Sequence, residues 1–285
     1  GCTVYGENGN DTFNINSSSN TIYGGEGDDV FNFISNTTNN IADGGSGNNV
    51  GNGTISKNDY ATNMSGQNCY IENFTTGETK DLTINGINYN VKATRNNMLI
   101  YKIDNNGAII FKSTNGSFTI TGQADKAHNV IINSQMNFYG GDLADNITIS
   151  NSAHLSFIYG MGGDDTITNT SCSWVTMDGG DGNDTIISRG LKSILLGGNG
   201  NDTLISYNYG DSINAGAGDD NITLSKNSIA CSVYGGGSGN NTLTNNSNSN
   251  TNLICGFGSA DNSSILELAY NETKDIEING ITYTV

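Results

Sequence analysis

The sequence predicts an all-β fold, a right-handed parallel β-solenoid with about 18–21 residues per coil. Hydrophobic residues make up only 34% of the 285 residues, 39 residues are Gly and none is Pro, so one large globular core is not expected. A glycine-rich turn that ends in an acid or its amide recurs ten times. Short alternating apolar stretches flank most copies, which is typical of strands. Together these observations indicate a thin core that is repeated from coil to coil.

The recurrent turn is clearest in GGDGNDTII, which begins at Gly179. We number its positions from the first glycine, position 1, to the acid, position 6. Successive copies lie 18–21 residues apart within each array, a period that indicates a solenoid. The residues at position 6 are Asp11, Asp29, Asn49, Asp145, Asp165, Asp184, Asp202, Asp220, Asn241 and Asp261.

Two apolar columns accompany the turn, one two residues before position 1 and one two residues after position 6. Each column stands in a short alternating stretch, so one coil is interpreted as strand, glycine turn, strand and a second, polar turn. Stacked coils would bury each column as a ladder between two thin sheets. The columns are Val4, Ile22, Phe138, Ile158, Met177, Leu195, Ile213, Val233 and Ile254, and Phe13, Phe31, Ile147, Ile167, Ile186, Leu204, Ile222 and Leu243.

The chain is strongly acidic, with 28 acids, 11 bases and a formal charge of −17. This charge would repel nucleic acids and anionic membrane surfaces, and it favours cations as partners. No apolar stretch approaches the ~18 residues of a membrane span, so membrane insertion is not expected.

Calcium is the cation that the turn fits best. Closely spaced glycines let the chain reverse sharply and turn carbonyl oxygens inward, and stacking at ~4.7–4.9 Å brings the acids of adjacent coils together. Ca²⁺ takes about 6–8 carboxylate and carbonyl oxygens, whereas zinc prefers His and Cys. The five cysteines share no CxxC spacing, so we expect small buried residues or free thiols rather than a zinc site.

The segments GGEGDDVFN, GGDGNDTII and GGNGNDTLI resemble the GGxGxDxUx nonapeptide of RTX (repeats-in-toxin) proteins, over roughly residues 1–50 and 136–262. The resemblance implies a calcium-bound parallel β-roll, with ions held between consecutive turns by the position-6 residues and by turn carbonyls. It also implies type I secretion and folding outside the cell, at an extracellular or bacterial cell-surface location. The implied carbonyl ligands are those of Gly25, Gly27, Gly180, Gly182, Gly198, Gly200 and Gly218.

The sequence departs from the RTX pattern at several turns. Asn49 and Asn241 replace the acid, Glu7 and Met161 replace the second glycine, and Leu143 replaces the fourth-position glycine. We expect those turns to bind calcium weakly or not at all. With one calcium-binding turn per coil, a single row of ions is expected along one edge, up to about 8 ions if each lies between two adjacent turns.

Two nearly identical segments predict a duplicated module. GETKDLTINGINYNV (77–91) and NETKDIEINGITYTV (271–285) each contain an Asn-Gly pair between apolar residues, which indicates a type I′ hairpin that covers the open end of a roll. The predicted organisation is a first module over 1–91 with the cap 77–91, connecting strands over 92–121, and a second module over 122–285 with the cap 271–285.

The sequence gives little support for an enzyme, because the acids are explained by the turns and His128 and His154 are interpreted as structural or surface residues. The leading hypothesis is a calcium-dependent structural region of a secreted or cell-surface protein: an adhesin, an S-layer protein or an RTX exoprotein. Neighbouring copies or surface glycans are the other expected partners.

Two alternatives stay open at this stage. The first is a glycan-binding or enzyme-appended module, which could use a tyrosine row just before the turns, formed by Tyr5, Tyr23, Tyr139, Tyr159 and Tyr234. The second is an ice-binding adhesin segment, which ranks lowest because no regular row of threonines accompanies the turn.

Overall fold

Short β-strands joined by turns account for all the regular structure in the described part of the chain. The computed structural model describes residues 1–34, 37, 39–53, 60–62, 69–103, 106–113, 116–236, 239–247, 253–257, 265–266, 275–278 and 281–284. Among these residues no helix is long and apolar enough to cross a membrane. The strands are β1 (Thr3–Tyr5), β2 (Thr12–Ile15), β3 (Thr21–Tyr23), β4 (Val30–Phe33), β5 (Ile41–Asp43), β6 (Val50–Gly53), β7 (Tyr60–Thr62), β8 (Cys69–Phe74), β9 (Thr79–Ile84), β10 (Ile87–Ala93), β11 (Asn97–Ile103), β12 (Ile109–Ser113), β13 (Phe118–Gly122), β14 (Asn129–Ser134), β15 (Met136–Tyr139), β16 (Asn146–Ser152), β17 (Phe157–Gly162), β18 (Thr166–Asn169), β19 (Thr176–Asp181), β20 (Thr185–Ser188), β21 (Ile194–Asn199), β22 (Thr203–Ser206), β23 (Ser212–Ala217), β24 (Asn221–Leu224), β25 (Ser232–Gly236), β26 (Thr242–Asn245), β27 (Leu253–Phe257), β28 (Ile265–Leu266), β29 (Asp275–Ile278) and β30 (Ile281–Thr284).

The first of two compact units comprises residues 1–76 and 95–115. Strands β1, β3, β5 and β7 form one parallel sheet, and β2, β4 and β6 form another. The register pairs equivalent residues of successive coils, as in Phe13 with Phe31. Strands β8, β11 and β12 add an antiparallel arrangement in the same unit.

The second unit comprises residues 77–94 and 116–285. The odd-numbered strands from β13 to β27 form one parallel sheet, and the even-numbered strands from β14 to β26 form the other. Each coil contributes one strand to each sheet, with the glycine turn between them. The predicted all-β parallel solenoid, with one glycine turn per coil, is therefore confirmed.

The two apolar columns form the core between the sheets. Ile158, Met177 and Leu195 of one column are fully buried, as are Ile167 and Ile186 of the other. Val4 is 40% exposed because it lies on β1, at the edge of its sheet. Since every coil buries its apolar side chains against the coils on either side, the stack is stabilised by neighbour contacts rather than by one central core.

In the regular turns that follow another coil, glycine is required at positions 2 and 4 because consecutive coils approach each other closely there. A Cβ atom on Gly198 would overlap the carbonyl oxygen of Gly180, and a Cβ atom on Gly27 would overlap that of Gly9. Gly198 and Gly27 also have positive φ angles of 113° and 129°, which residues with a side chain rarely adopt. Both the backbone conformation and the space between coils thus demand glycine.

The first of the two predicted hairpins is a two-residue β-hairpin. Ile84 pairs with Ile87 across the turn, and Asn85 and Gly86 have positive φ angles of 52° and 77°, as a type I′ turn requires. The equivalent strands β29 and β30 pair in the same way, with Ile278 opposite Ile281. The turn residues 279–280 lie outside the described residues.

The hairpin 77–91 belongs to the second unit, whereas the sequence placed it at the end of the first module. Strand β10 runs antiparallel to β13, with Tyr89 opposite Gly122 and Ala93 opposite Phe118. Its apolar face, including Tyr89 and Val91, is fully buried. The hairpin thus extends the sheet that begins the second solenoid, while residues 95–115 belong to the first unit.

Candidate metal sites

The side chains at position 6 form a continuous row along the edge of each solenoid, which we call the acid row. In the second unit, Oδ1 of Asp184 accepts the backbone N–H of Asp165 at 2.7 Å, and Oδ1 of Asp202 accepts that of Asp184 at 2.8 Å. Each acid therefore bonds to the coil before it, which fixes the spacing of the row. The same bond joins Asp11 to Asp29, Asp29 to Asn49, Asp145 to Asp165, Asp202 to Asp220 and Asp220 to Asn241.

The second carboxylate oxygen of most acids in this row has no hydrogen-bond partner. Asp29 and Asp202 are fully buried, and Asp165 is 1% exposed. A buried charged oxygen without a partner is costly and calls for a proton or a cation. The unpaired Oδ2 atoms are those of Asp11, Asp29, Asp165, Asp184, Asp202 and Asp220.

A main-chain carbonyl oxygen of the next coil faces these spaces at the turns with glycine at position 1, which are those of Asp11, Asp29, Asp165, Asp184 and Asp202. A Cβ atom on Gly179 would overlap Oδ2 of Asp184 and would lie 2.7 Å from the carbonyl oxygen of Gly197. Position 1 is occupied by glycine with no positive φ at Gly6, Gly24, Gly140, Gly160, Gly179 and Gly197. At these six residues glycine is therefore favoured for space rather than for backbone conformation, and the space is lined by carboxylate and carbonyl oxygens.

This donor set fits calcium. Among the described residues, no cluster of three or more His, Cys, Asp or Glu side chains could hold one ion. Each gap between coils can therefore offer two carboxylates at most, and carbonyl oxygens must complete the shell. Oxygen ligands of these two kinds are the ones that Ca²⁺ prefers, and an ion there would satisfy the unpaired Oδ2 atoms. The position-6 aspartates would hold it, and its charge would offset their repulsion.

The seven carbonyls singled out from the sequence belong to positions 2 and 4 and point along the stack. The carbonyl oxygen of Gly180 lies against Gly198, and that of Gly182 lies against Gly200. The carbonyl of Gly25 accepts the N–H of Ser46 at 2.8 Å. Their role as ligands stays a prediction. The carbonyls beside the unpaired Oδ2 atoms are those of position 1, which the sequence reasoning missed although the recurrent glycine there was the available signal.

The turn at 140–145 differs from the regular ones, as its sequence suggested. Oδ2 of Asp145 accepts the N–H of Gly141 at 3.1 Å and is therefore not left unpaired. Leu143 stands where position 4 has glycine, and the pairing of β15 with β17 ends at Tyr159, before position 2 of the next coil. Met161, at position 2 of the next coil, is 50% exposed with a φ of 81°.

His128 occupies the place of the acid in the coil before Asp145. Its backbone N–H donates to Oδ1 of Asp145 at 2.6 Å, as an acid of the row would. Its ring is 1% exposed, with Nδ1 3.1 Å from the Tyr89 hydroxyl and Nε2 3.1 Å from the Gln123 carbonyl oxygen. The sequence interpreted His128 as structural or surface, and an insertion before it hid its place in the row.

The remaining predicted residues are placed as follows. Asn49 and Asn241 lie in the acid row and accept the N–H of the preceding acid. Asp261 lies outside the described residues. His154 is exposed at the second turn, where its Nδ1 accepts the N–H of Ser173 at 2.8 Å. Of the described cysteines, Cys2, Cys172 and Cys231 are free thiols.

One buried carboxylate stands on the opposite edge and was not singled out from the sequence. Asp211 is fully buried; its Oδ1 accepts the N–H of Ser193 and its Oδ2 accepts the Ser206 hydroxyl, both at 2.8 Å. Burial raises the pKa of Asp211 to about 6. Since both oxygens are paired, Asp211 offers no free ligand for a cation.

Burial and like charge raise the pKa of several carboxyl groups in the acid row. Burial, with added repulsion from Asp145 and Asp184, raises the pKa of Asp165 to about 7. Burial, followed by the charge of Asp202, raises the pKa of both Asp184 and Asp220 to about 6. Without a cation, these carboxyl groups therefore take up protons at a higher pH than ordinary aspartates do, and below about pH 6–7 a bound cation would have to displace their protons.

Calcium-free protein is expected to keep more β-structure at pH 5 than at pH 8. A carboxyl whose pKa is higher in the folded chain than in the unfolded chain binds its proton more tightly when folded. The free energy of unfolding therefore falls as the pH rises from about 4, the unfolded value, to about 7. After discounting for solvent screening, we expect a difference of about 1 kcal/mol or more.

The measurement is circular dichroism of resin-decalcified protein at both pH values. A calcium-free chain with more β-structure at pH 8 than at pH 5 would contradict this linkage. The calcium-saturated protein provides the control, because bound ions would neutralise the row and its pH dependence should then be weaker.

Comparison with known proteins agrees with the geometry. A family model described as the RTX calcium-binding nonapeptide repeat matches four segments, at residues 5–33, 156–169, 176–190 and 196–226. Each segment contains at least one of the strands that flank a glycine turn. No curated protein matches the chain.

Proposed function

We propose that this chain, which carries RTX calcium-binding nonapeptide repeats, is a calcium-dependent structural β-roll region of a secreted or cell-surface bacterial protein. In this proposal the chain folds when it binds calcium outside the cell. An adhesin, an S-layer protein or an RTX exoprotein would each use such a region. The proposal assigns it no catalytic step.

One observation carries the proposal: the row of buried, unpaired Oδ2 atoms along the edge of the stack. Without cations the row brings like charges together in a poorly solvated place, so the folded state is penalised. A cation between two coils would pair with both carboxylates and remove that penalty. Because the site exists only when two coils are stacked, its binding free energy becomes folding free energy.

The overall charge supports the same mechanism. The chain has a net charge of −17, so in the absence of divalent cations it repels itself and favours expanded states. RTX repeat proteins are typically secreted, which supports a location where calcium is plentiful. An expanded chain in a calcium-poor cytoplasm and a compact chain outside would then follow from calcium concentration alone.

Calcium titration of the decalcified chain tests this proposal. We expect the β-sheet signal in circular dichroism to appear with calcium and not with the same concentration of magnesium, which prefers its own waters. Without calcium, the radius of gyration should approach the ~60 Å of an unfolded chain of this length. A circular dichroism spectrum and radius that are unchanged by calcium removal at pH 8 would show that the proposal is wrong.

The alternative, a glycan-binding or enzyme-appended module, would need open aromatic faces in the tyrosine row. Tyr5 and Tyr23 stack with ring centroids 5.1 Å apart, and Tyr139 and Tyr159 stack at 4.7 Å. The paired rings cover each other's faces along the stack. This arrangement favours a packing role for these tyrosines and supports the structural proposal.

A further inference from the structure

We propose that Asn241 and Ala215 together end the calcium row of the second unit at Asp220, so that no ion lies between the coils of Asp220 and Asn241. This inference rests on the proposed function, because it takes calcium to lie between the carboxylates of adjacent coils. It assigns a role to two departures from the repeat sequence: Asn241 replaces the acid at position 6, and Ala215 replaces the glycine at position 1.

Asn241 keeps the Oδ1 acceptor of the acid that it replaces, but it carries an Nδ2 donor in place of the second carboxylate oxygen. It is 5% exposed, and its Oδ1 accepts the N–H of Asp220 at 2.8 Å, as an acid of the row would. Its Nδ2, however, donates a hydrogen bond to the carbonyl oxygen of Gly235. That oxygen belongs to position 1, whose carbonyl faces the unpaired Oδ2 of the preceding coil elsewhere in the row. In this last gap the amide therefore occupies an oxygen that an ion would need.

Ala215 fills the space on the other side of the same gap. It pairs in register with Gly197, so it holds position 1 of the coil that ends in Asp220. In the regular coils, a Cβ atom at position 1 would overlap Oδ2 of the same coil's acid; at Gly197 it would also overlap the carbonyl oxygen of Ala215. Ala215 carries a methyl group at this place and is fully buried. The methyl group and the amide thus close one gap from both sides.

A neutral residue is expected at the end of the acid row. An acid at position 241 would face an ion on one side only, and a buried charge without full compensation is costly. Asparagine has nearly the same shape as aspartate, retains the acceptor oxygen for the Asp220 N–H and has no charge to compensate. The other end of the row is closed in a similar way by His128, whose two ring nitrogens are both engaged.

The inference limits the ions in the second unit to the gaps between two carboxylates. Those gaps lie between Asp145 and Asp165, Asp165 and Asp184, Asp184 and Asp202, and Asp202 and Asp220. The gap next to Asp145 should be the weakest, since Oδ2 of Asp145 already accepts the N–H of Gly141. The resulting maximum of about four ions in this unit is below the count obtained by filling every gap.

Two double variants of the full chain test the assignment by calcium counting in equilibrium dialysis. Ala215→Gly with Asn241→Asp opens the closed gap and is expected to add one bound ion. Gly197→Ala with Asp220→Asn copies the natural terminator one coil earlier and is expected to remove one ion. A methyl group at Gly197 requires the carbonyl oxygen of Ala215 and Oδ2 of Asp202 to shift, so the folding of the second variant is checked directly.

Circular dichroism at saturating calcium identifies the variants that have folded. An unchanged ion count in either folded variant would overturn the assignment. A wild-type chain that binds no calcium at all would instead contradict the proposed function, and this inference with it. The single variant Ala215→Gly is the matched control: Asn241 still occupies the Gly235 carbonyl, so its ion count should equal that of the wild type.

Discussion

The Asp184→Asn variant is expected to bind fewer calcium ions than the wild type and to need about tenfold more calcium to fold. Asp184 lies in the middle of the acid row, with its Oδ1 2.7 Å from the Asp165 nitrogen and its Oδ2 unpaired. Asparagine keeps the acceptor for the Asp165 N–H but removes a charge that faces two gaps. A tenfold shift corresponds to about 1.4 kcal/mol. Equilibrium dialysis measures the ion count, and circular dichroism during a calcium titration measures the folding midpoint.

Asp211→Asn provides the matched control for this variant. Asp211 is as deeply buried as Asp184, and its Oδ1 also accepts a backbone N–H from the preceding coil, that of Ser193. Its Oδ2, however, accepts the Ser206 hydroxyl, so no ion is expected to depend on it. Asp211→Asn should therefore keep the wild-type ion count. If Asp184→Asn kept that count too, or if both variants lost ions, the assignment of calcium to the acid row would be wrong.

The Gly27→Ala variant is expected to destabilise the first unit by about 1–3 kcal/mol more than Gly9→Ala. Both glycines hold position 4, and their φ angles of 129° and 120° are similar, so the cost of the backbone conformation is shared by the two variants. A Cβ atom on Gly27 would overlap the Gly9 carbonyl oxygen, whereas a Cβ atom on Gly9 would have no atom within 4 Å. The difference between the variants therefore isolates the close approach of the coils.

Hydrogen–deuterium exchange of peptides from residues 1–53, at saturating calcium, measures this difference. Slow exchange in the wild type and in Gly9→Ala, with faster exchange in Gly27→Ala, is the expected result. Equal protection of the two variants would show that the coils can separate enough to accept a methyl group. The requirement for glycine at position 4 would then be one of backbone conformation alone.

The repeat itself made the solenoid predictable. A fixed period, two apolar columns and a turn with one recurrent acid describe a coil that cannot bury its own core, so stacking follows from the pattern. The structure places Ile167 opposite Ile186 and Ile158 opposite Met177, as the columns predict. The position of the acids on one edge was predictable for the same reason, because every coil repeats the same order of strand and turn.

Other features depend on distances between coils, which a sequence pattern does not contain. The pattern showed that position 1 is glycine but not that the adjacent space lies between Asp184 Oδ2 and the Gly197 carbonyl. The place of His128 in the acid row was not recognised from the sequence, because its coil has one extra residue before the row and has no acid there. The hairpin at 77–91 was identified correctly as a hairpin, but the unit to which it belongs is decided by pairing with β13.

The antiparallel hairpin at the start of the second solenoid covers a sheet edge from which fibrils could otherwise grow. A stack of similar parallel coils ends in a row of open N–H and C=O groups, to which another chain could add its own strands indefinitely. Strand β10 covers that row by pairing with β13, and β9 is the outermost strand of the sheet. Strand β9 carries Lys80 and Asp81, charges that disfavour further pairing. End-to-end polymerisation of the repeat from this edge is thus disfavoured.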